Sequence, residues 1–310
     1  ISNFKLKIML NIIGKKNLYF LISLLVIIPG TISLLLWGLR LSIDFTGGTR
    51  TTLLFHQTVN QKTVEKVRTI FKHQGAEIVS VRLVDKRLIA QTKPIDEKEN
   101  TSIITELKKY LGNVKQEEFE TIGATIGTET TINAFKTILF ASILIVLYIA
   151  YSFRKVPKPA NSFRFGVCAI IALIHDVLVV VGIFSLLGHF FHVEVDSLFI
   201  TAILTVIGFS VHDTIVVFDR IRENLRKSIG TTFPQVVNDS VLQTLVRSLN
   251  TSLTAILILL TLLLFGGESI RWFVAALLMG IISGTNSSIF TAAPFLVVWL
   301  AWEGMRRIKK

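Results

Sequence analysis

Asp213 and Arg247 call for a chemical explanation before anything else in this sequence, because each interrupts a run of apolar residues. An ionised side chain at the centre of a bilayer is unfavourable by about 2.5 to 3.5 kcal/mol on insertion scales, so it needs a partner or a task. Asp213 precedes Arg220 on the edge of its run, which at about 1.5 Å per residue sets it roughly 10 Å inside. Arg247 follows Leu242 and lies roughly 8 Å from the same edge by the same rise. Matching depth lets the two pair, and protonating the carboxylate would weaken the attraction. That pair is either a two-state switch or a permanent ion pair that sets helix packing. As a switch reached by water from alternate sides, it would carry one charge per cycle through about 2.3 kcal/mol per 100 mV.

His175 and Asp176 sit near the middle of another run, where they either relay protons or hydrogen-bond between helices. His212 is rotated about 100° around a helix from Asp213 and need not share its pocket. Ser283, Thr285, Asn286, Ser287 and Ser288 form a polar patch, with Gly280 and Gly284 in a GxxxG arrangement that permits close helix contact. The patch reads equally as packing with interhelical hydrogen bonds or as a wet proton path. Ser210, Asn250 and Thr251 are further candidates to meet water or Arg247. Asp176 and Asp213 on adjacent spans could imitate an aspartyl protease dyad, but Arg247 competes for Asp213 and no Gly-x-Gly-Asp run accompanies either. No catalytic residue, metal site or cofactor is expected. Water-exposed clusters of His and carboxylate are absent from the sequence, the single Cys168 lies in an apolar run, and no phosphate-binding Gly-rich loop carries its Lys.

The elements that must position these residues follow from composition. With 51% hydrophobic and only 17% charged residues, the chain is too apolar for a soluble protein of its length. Six apolar runs are long enough to span: Leu18 to Gly38, then about 132–151, 165–187, 197–218, 242–265 and 272–302. The first is too long for a signal-peptide core and is read as an uncleaved span. The net charge of +12 gathers in short segments beside these runs rather than on a nucleic-acid-binding face. Basic segments are the N-terminal tail (Lys5, Lys7, Lys15, Lys16), the loop with Arg154, Lys155, Lys158 and Arg164, the loop with Arg220, Arg222, Arg226 and Lys227, and the tail Arg306, Arg307, Lys309 and Lys310. They alternate with connections poor in Lys and Arg, so both termini, 1–17 and 303–310, are expected in the cytoplasm. The polar stretch 39–130 is then extracytoplasmic. Its alternation and helical spacing read as βαββαβ, a ferredoxin-like α+β domain on an otherwise all-α six-helix membrane bundle.

Asp44-Phe45-Thr46-Gly47-Gly48 directly after the first span resembles the signature of the SecD/SecF protein-export family. The run from Gly208 to Asn224, the segment Gln243 to Ser248, His175-Asp176, and Gly284 to Phe290 also resemble segments of that family. Two positions depart from its pattern: His212 stands where Asn is expected and Asn286 where Tyr is. The resemblance implies half of an RND-type transporter, working with SecD and the SecYEG channel, and with YajC, to assist preprotein translocation across the bacterial inner membrane. It implies protons as the coupling ion, with Asp44 to Gly48 coupling intramembrane changes to the external domain. From the residues alone, Asp44 and the two glycines are explained by a sharp turn. The alternative function is a proton-coupled small-molecule or lipid exporter half, against which the external domain is small for an enclosed substrate pocket.

Overall fold

A computed structural model describes residues 11–56, 59–84, 86–157, 160–227 and 230–308, the side chains of 84 and 303–308 excepted. Lys5, Lys7, Lys158, Lys309 and Lys310, counted in the charge reading, lie outside the described residues, as do the side chains of Arg306 and Arg307. The chain forms two compact units, Ile1–Arg40 with Thr137–Lys310, and Leu41–Lys136.

In the second unit a one-turn helix α2 (Ile43–Thr46) leads into β1 (Gly48–Phe55), α3 (Gln61–His73), β2 (Ile78–Val84), β3 (Arg87–Thr92), α4 (Glu97–Leu111) and β4 (Val114–Ile122), after α1 (Lys16–Trp37) of the other unit. The sheet order is β2-β3-β1-β4 with every neighbour antiparallel, which is the ferredoxin-like arrangement. Alternating β1 residues and the apolar stripes of α3 and α4 close the core around Leu53, Phe71, Leu88, Ile103 and Leu107. Helix α4 begins four residues earlier than the apolar spacing indicates, because Asp96 and Glu99 form a capping box (2.7 and 3.0 Å).

The first unit holds six helices long and apolar enough to cross a membrane. They are α1, α5 (Ala124–Ser152), α6 (Ser162–Phe191), α7 (Ser197–Lys227), α8 (Phe233–Phe265), and α9 (Glu268–Ser287) continuing through a π-helical segment, Ser288–Ala292, into α10 (Ala293–Ile308). The first turns of α5 belong to the other unit. These helices overrun the apolar stretches. Helix α5 starts one residue after β4 ends rather than near 132, and α8 starts at Phe233 rather than 242. Arg220, Arg222, Arg226 and Lys227 lie on α7, not in a loop. Hydropathy marks only the part of a helix suited to hydrocarbon. Beyond it the backbone ladder continues, supported on α7 by the Arg220–Glu223 and Glu223–Lys227 pairs at 2.6 Å. At the start of α8 the support comes from Gln235 Oε1, which accepts from the Thr232 N–H at 3.2 Å.

Helices α1 and α6 cross at glycines. A Cβ added to Gly30 would lie 2.9 Å from the Gly182 Cα, and one added to Gly182 would lie 2.8 Å from the Gly30 Cα. That approach lets Ser33 and Ser185 hydrogen-bond at 2.8 Å, while the Ser185 hydroxyl donates to the Gly38 carbonyl at 2.7 Å. Cys168 packs in the apolar core with Phe153, Phe165 and Phe218. Gly182→Ala should therefore destabilise by about 1–3 kcal/mol through overpacking. Gly166→Ala, whose Cβ would meet only Ile149 at 3.9 Å, should be neutral or slightly stabilising. Thermal unfolding midpoints in detergent read the difference, and equal midpoints for the two variants would contradict the close-contact account.

Candidate functional site

The glycine pair on α9 brings the polar patch to its partners. Gly280 faces the Val206 side chain of α7, and a Cβ on Gly284 would lie 3.2 Å from the Ser210 Cβ and 3.6 Å from Asp176 Oδ2. At this spacing α7 and α9 approach closely beside α6, and side chains from all three converge on Asp176. Its carboxylate is completely buried. Oδ2 accepts from the hydroxyls of Ser210 and Ser287, both at 2.6 Å, and Oδ1 accepts from Ser283 at 2.8 Å and lies 3.0 Å from His175 Nδ1. Four partners match the number of lone pairs that a carboxylate can offer. The outer nitrogen of the ring, His175 Nε2, is buried and has no hydrogen-bond partner among the described residues.

Asp213, on α7 one turn beyond Ser210, is also buried and accepts from the Thr285 hydroxyl at 3.3 Å. Thr285 in turn shares a 2.5 Å hydrogen bond with Ser252 of α8 and donates to the Ile281 carbonyl at 2.9 Å. Beside Asp213, Thr214 is hydrogen-bonded to Ser288 at 2.9 Å, and Ser288 donates to the Gly284 carbonyl at 2.8 Å. One six-residue stretch, 283–288, at the end of α9 and the first π-helical residue, thus supplies hydroxyls to both carboxylates and to the neighbour of the second. Its last residue opens the π-helical segment, a single-turn widening of the kind often found at functional sites.

The expected ion pair between Asp213 and Arg247 is not formed. Arg247 is exposed on α8 and makes no ion pair among the described residues. Depth along the axis was matched, but azimuth was not. The face of α8 turned inward carries Thr244, Ser248 and Ser252 at four-residue spacing, all buried, and Arg247 is rotated about 100° from Ser248. Asn250 and Thr251 are likewise exposed, and the Thr251 hydroxyl donates to the Arg247 carbonyl at 3.0 Å. His212 and Asn286, each adjacent to an inward residue, are exposed as well. The two aspartates accept from different hydroxyls and do not bond each other, so no acid dyad exists. Thr214 and Ser252 were not singled out from the sequence. The Thr244, Ser248, Ser252 spacing was the signal for the second.

At the start of the other unit, Asp44 to Gly48 forms the turn that its glycines imply. Gly47 and Gly48 take φ of 71° and 123°, and Ser42 Oγ accepts from the Asp44 N–H at 3.2 Å. Both glycines are also sterically required. A Cβ on Gly47 would lie 2.8 Å from the Ala124 Cα, and one on Gly48 would lie 2.7 Å from the Thr92 carbonyl oxygen. Gly127 on α5 completes the contact, since its Cβ would lie 2.9 Å from the Phe45 carbonyl oxygen. That carbonyl accepts from Thr131 Oγ1 at 3.3 Å. The motif is therefore seated on the first two turns of α5.

Comparison with known proteins addresses the whole chain. Residues 102–302 match the family model "Protein export membrane protein SecD/SecF, C-terminal", and residues 32–59 match the "SecD/SecF GG Motif". The protein translocase subunit SecF of Thermobaculum terrenum is 49% identical over 308 residues, covering 94% of each chain. That of Anaerolinea thermophila is 42% identical, covering 97% of this chain and 98% of its own. Among solved structures, SecDF of Thermus thermophilus, described as a translocon-associated membrane protein, superposes with a TM-score of 0.81 at 34% identity. The match covers 95% of this chain but 39% of the SecDF chain, so the present chain spans about two-fifths of that protein. On these grounds the chain belongs to the SecD/SecF family of protein-export membrane proteins.

Proposed function

We propose that this chain is the SecF half of a SecD–SecF complex and uses the proton-motive force to assist preprotein translocation through the SecYEG channel, with YajC as an accessory. The observation that carries the reading is the segment 283–287 of α9, which serves two buried carboxylates at once. Near-full-length similarity to SecF subunits supports the biological setting. In this reading the basic segments, including Arg154, Lys155, Arg222 and Arg226, face the cytoplasm, and the ferredoxin-like unit lies outside the bacterial inner membrane.

In this reading the chain moves protons and performs no covalent catalysis. Asp176 and Asp213 take up and release protons. His175 passes them to or from Asp176, its unpartnered Nε2 being the point where water or the partner subunit joins the route. Protonating Asp176 places a donor where an acceptor stood, so one of Ser210, Ser283 or Ser287 must turn away. The exposed polar residues have a place in the same scheme. Arg247, His212, Asn250 and Asn286 would each face lipid if the chain stood alone, which for Arg247 costs about 2.5 to 3.5 kcal/mol on insertion scales. A SecD half that covers them removes this penalty and brings a counter-charge to Arg247. The Asp44 to Gly48 turn, fixed to the start of α5, transmits changes in that helix to the sheet of the external domain.

Translocation into vesicles containing the full complex tests the scheme. Asp176→Asn and Asp213→Asn should each abolish the proton-dependent component while leaving assembly with SecD intact. Retention of full proton dependence by both variants would overturn the role given to the buried pair. Ser287→Ala should act more mildly, since it removes one of four partners, a hydrogen bond to a charged group worth about 1.5–3 kcal/mol. Its signature should be a partial loss of the proton-dependent component, smaller than the loss in Asp176→Asn. Arg247→Met should weaken co-purification of SecD as well as activity. Unchanged assembly and activity would remove Arg247 from the scheme.

A further inference from the structure

The end of the bundle rich in basic residues carries a recess of about 200 Å³, formed where α5 ends, along the connection that follows it, and at the end of α7. Four cations line it, Arg154, Lys155, Arg222 and Arg226, together with Tyr151 and Ser152. Arg222 Nη1 donates to the Ser152 carbonyl at 3.0 Å, and Arg226 Nη2 donates to the Lys155 carbonyl at 3.4 Å. These bonds hold the guanidinium groups against the last carbonyls of α5 and the following turn. The Arg154 guanidinium lies 4.0 Å above the Tyr151 ring. Arg222 is neutralised by Asp219, but Arg154, Lys155 and Arg226 have no ion-pair partner among the described residues. Three uncompensated cations around one recess repel one another and call for an anion. The volume accommodates a phosphate with its glycerol, on the order of six waters at about 30 Å³ each.

A second feature selects the source of that phosphate. Phe140, Leu144, Leu147 and Tyr151 lie on one face of α5 at helical spacing, and all are more than 60% exposed. The stripe runs along the apolar span and ends at Tyr151, which is itself a wall of the recess. An acyl chain laid on this stripe would carry its phosphate into the cations. We propose that the recess is a binding site for an anionic phospholipid, with the phosphodiester held by Arg154, Lys155 and Arg226 and one acyl chain along α5. This assignment is independent of the proton scheme and requires only that the helices span a bilayer.

The full chain in detergent, titrated with phosphatidylglycerol or phosphatidylcholine and observed by native mass spectrometry, tests the site. The unaltered chain should retain phosphatidylglycerol preferentially. Replacing Arg154, Lys155 and Arg226 together by Gln should weaken retention by about fivefold per cation. Removing the same number of cations from the other unit, as Lys62→Gln, Lys66→Gln and Lys98→Gln, should change nothing. Leu147→Ser should weaken diacyl lipid retention while leaving the preference for the anionic head. Retention by the triple variant equal to that of the unaltered chain would overturn the site. Displacement of the lipid by millimolar inorganic phosphate would also overturn it, in favour of a free-anion site. Should the triple variant fail to fold, Lys155→Glu decides, because that side chain is exposed and holds nothing else in place. Lost anionic preference sustains the site, and unchanged preference overturns it.

Discussion

Two carboxylates buried inside a helical bundle govern how the rest of this membrane unit is built. An ionised carboxylate removed from water must be surrounded by donors or give up its charge. Asp176 is surrounded: three hydroxyls on two other helices and an adjacent imidazole occupy its oxygens. To deliver hydroxyls as short as those of serine, the helices must approach more closely than leucine-sized contacts permit. Gly280 and Gly284 on α9 provide that approach. The small residues of the sixth span, the glycine spacing and the serine spacing are thus three consequences of one electrostatic requirement.

The same close packing recurs where α1 crosses α6. There Gly30, Gly182, Ser33 and Ser185 make a tight contact with no ionisable group involved. The comparison separates two uses of small residues. At the α1 crossing the hydroxyls satisfy each other and a helix-end carbonyl, which fixes geometry. At the α9 crossing they donate to carboxylates. In the external unit, glycine serves a third purpose. Gly47 and Gly48 combine positive φ with contacts that no side chain would fit, and so seat the turn on α5.

The architecture was legible because it rests on periodicities that survive in any context. Alternation in β1, the stripes of α3 and α4, and six long apolar runs gave the ferredoxin-like sheet and the membrane helices. Helix ends were less legible, since α5, α7 and α8 continue into polar sequence where caps and ion pairs, not hydropathy, decide the boundary. At the site, depth was readable from a constant rise per residue, but which way a side chain faces depends on packing against other helices. Hence Asp213 and Arg247 stood at matching depth yet do not meet, and Asp176, which carried no more weight than His175 in the sequence, holds the largest share of hydrogen bonds. The exposure of His212 follows from its offset from Asp213 and was foreshadowed by it.

The π-helical segment gives the site its mechanical character. Residues 283–287 are held by α-helical bonds, whereas Ser288–Ala292 is widened by one residue, so the register of α9 against α10 is set at this point. Under the proposed function this widened turn is where a small rotation would be taken up. Under the proposed cycle, protonation of Asp176 releases Ser283 or Ser287, and the rotation that follows would move Thr285 and Ser288 on the same turns. Those two residues contact Asp213 and its neighbour Thr214. Under that cycle the second carboxylate would sense the state of the first through the helix that serves both, without either acid touching the other.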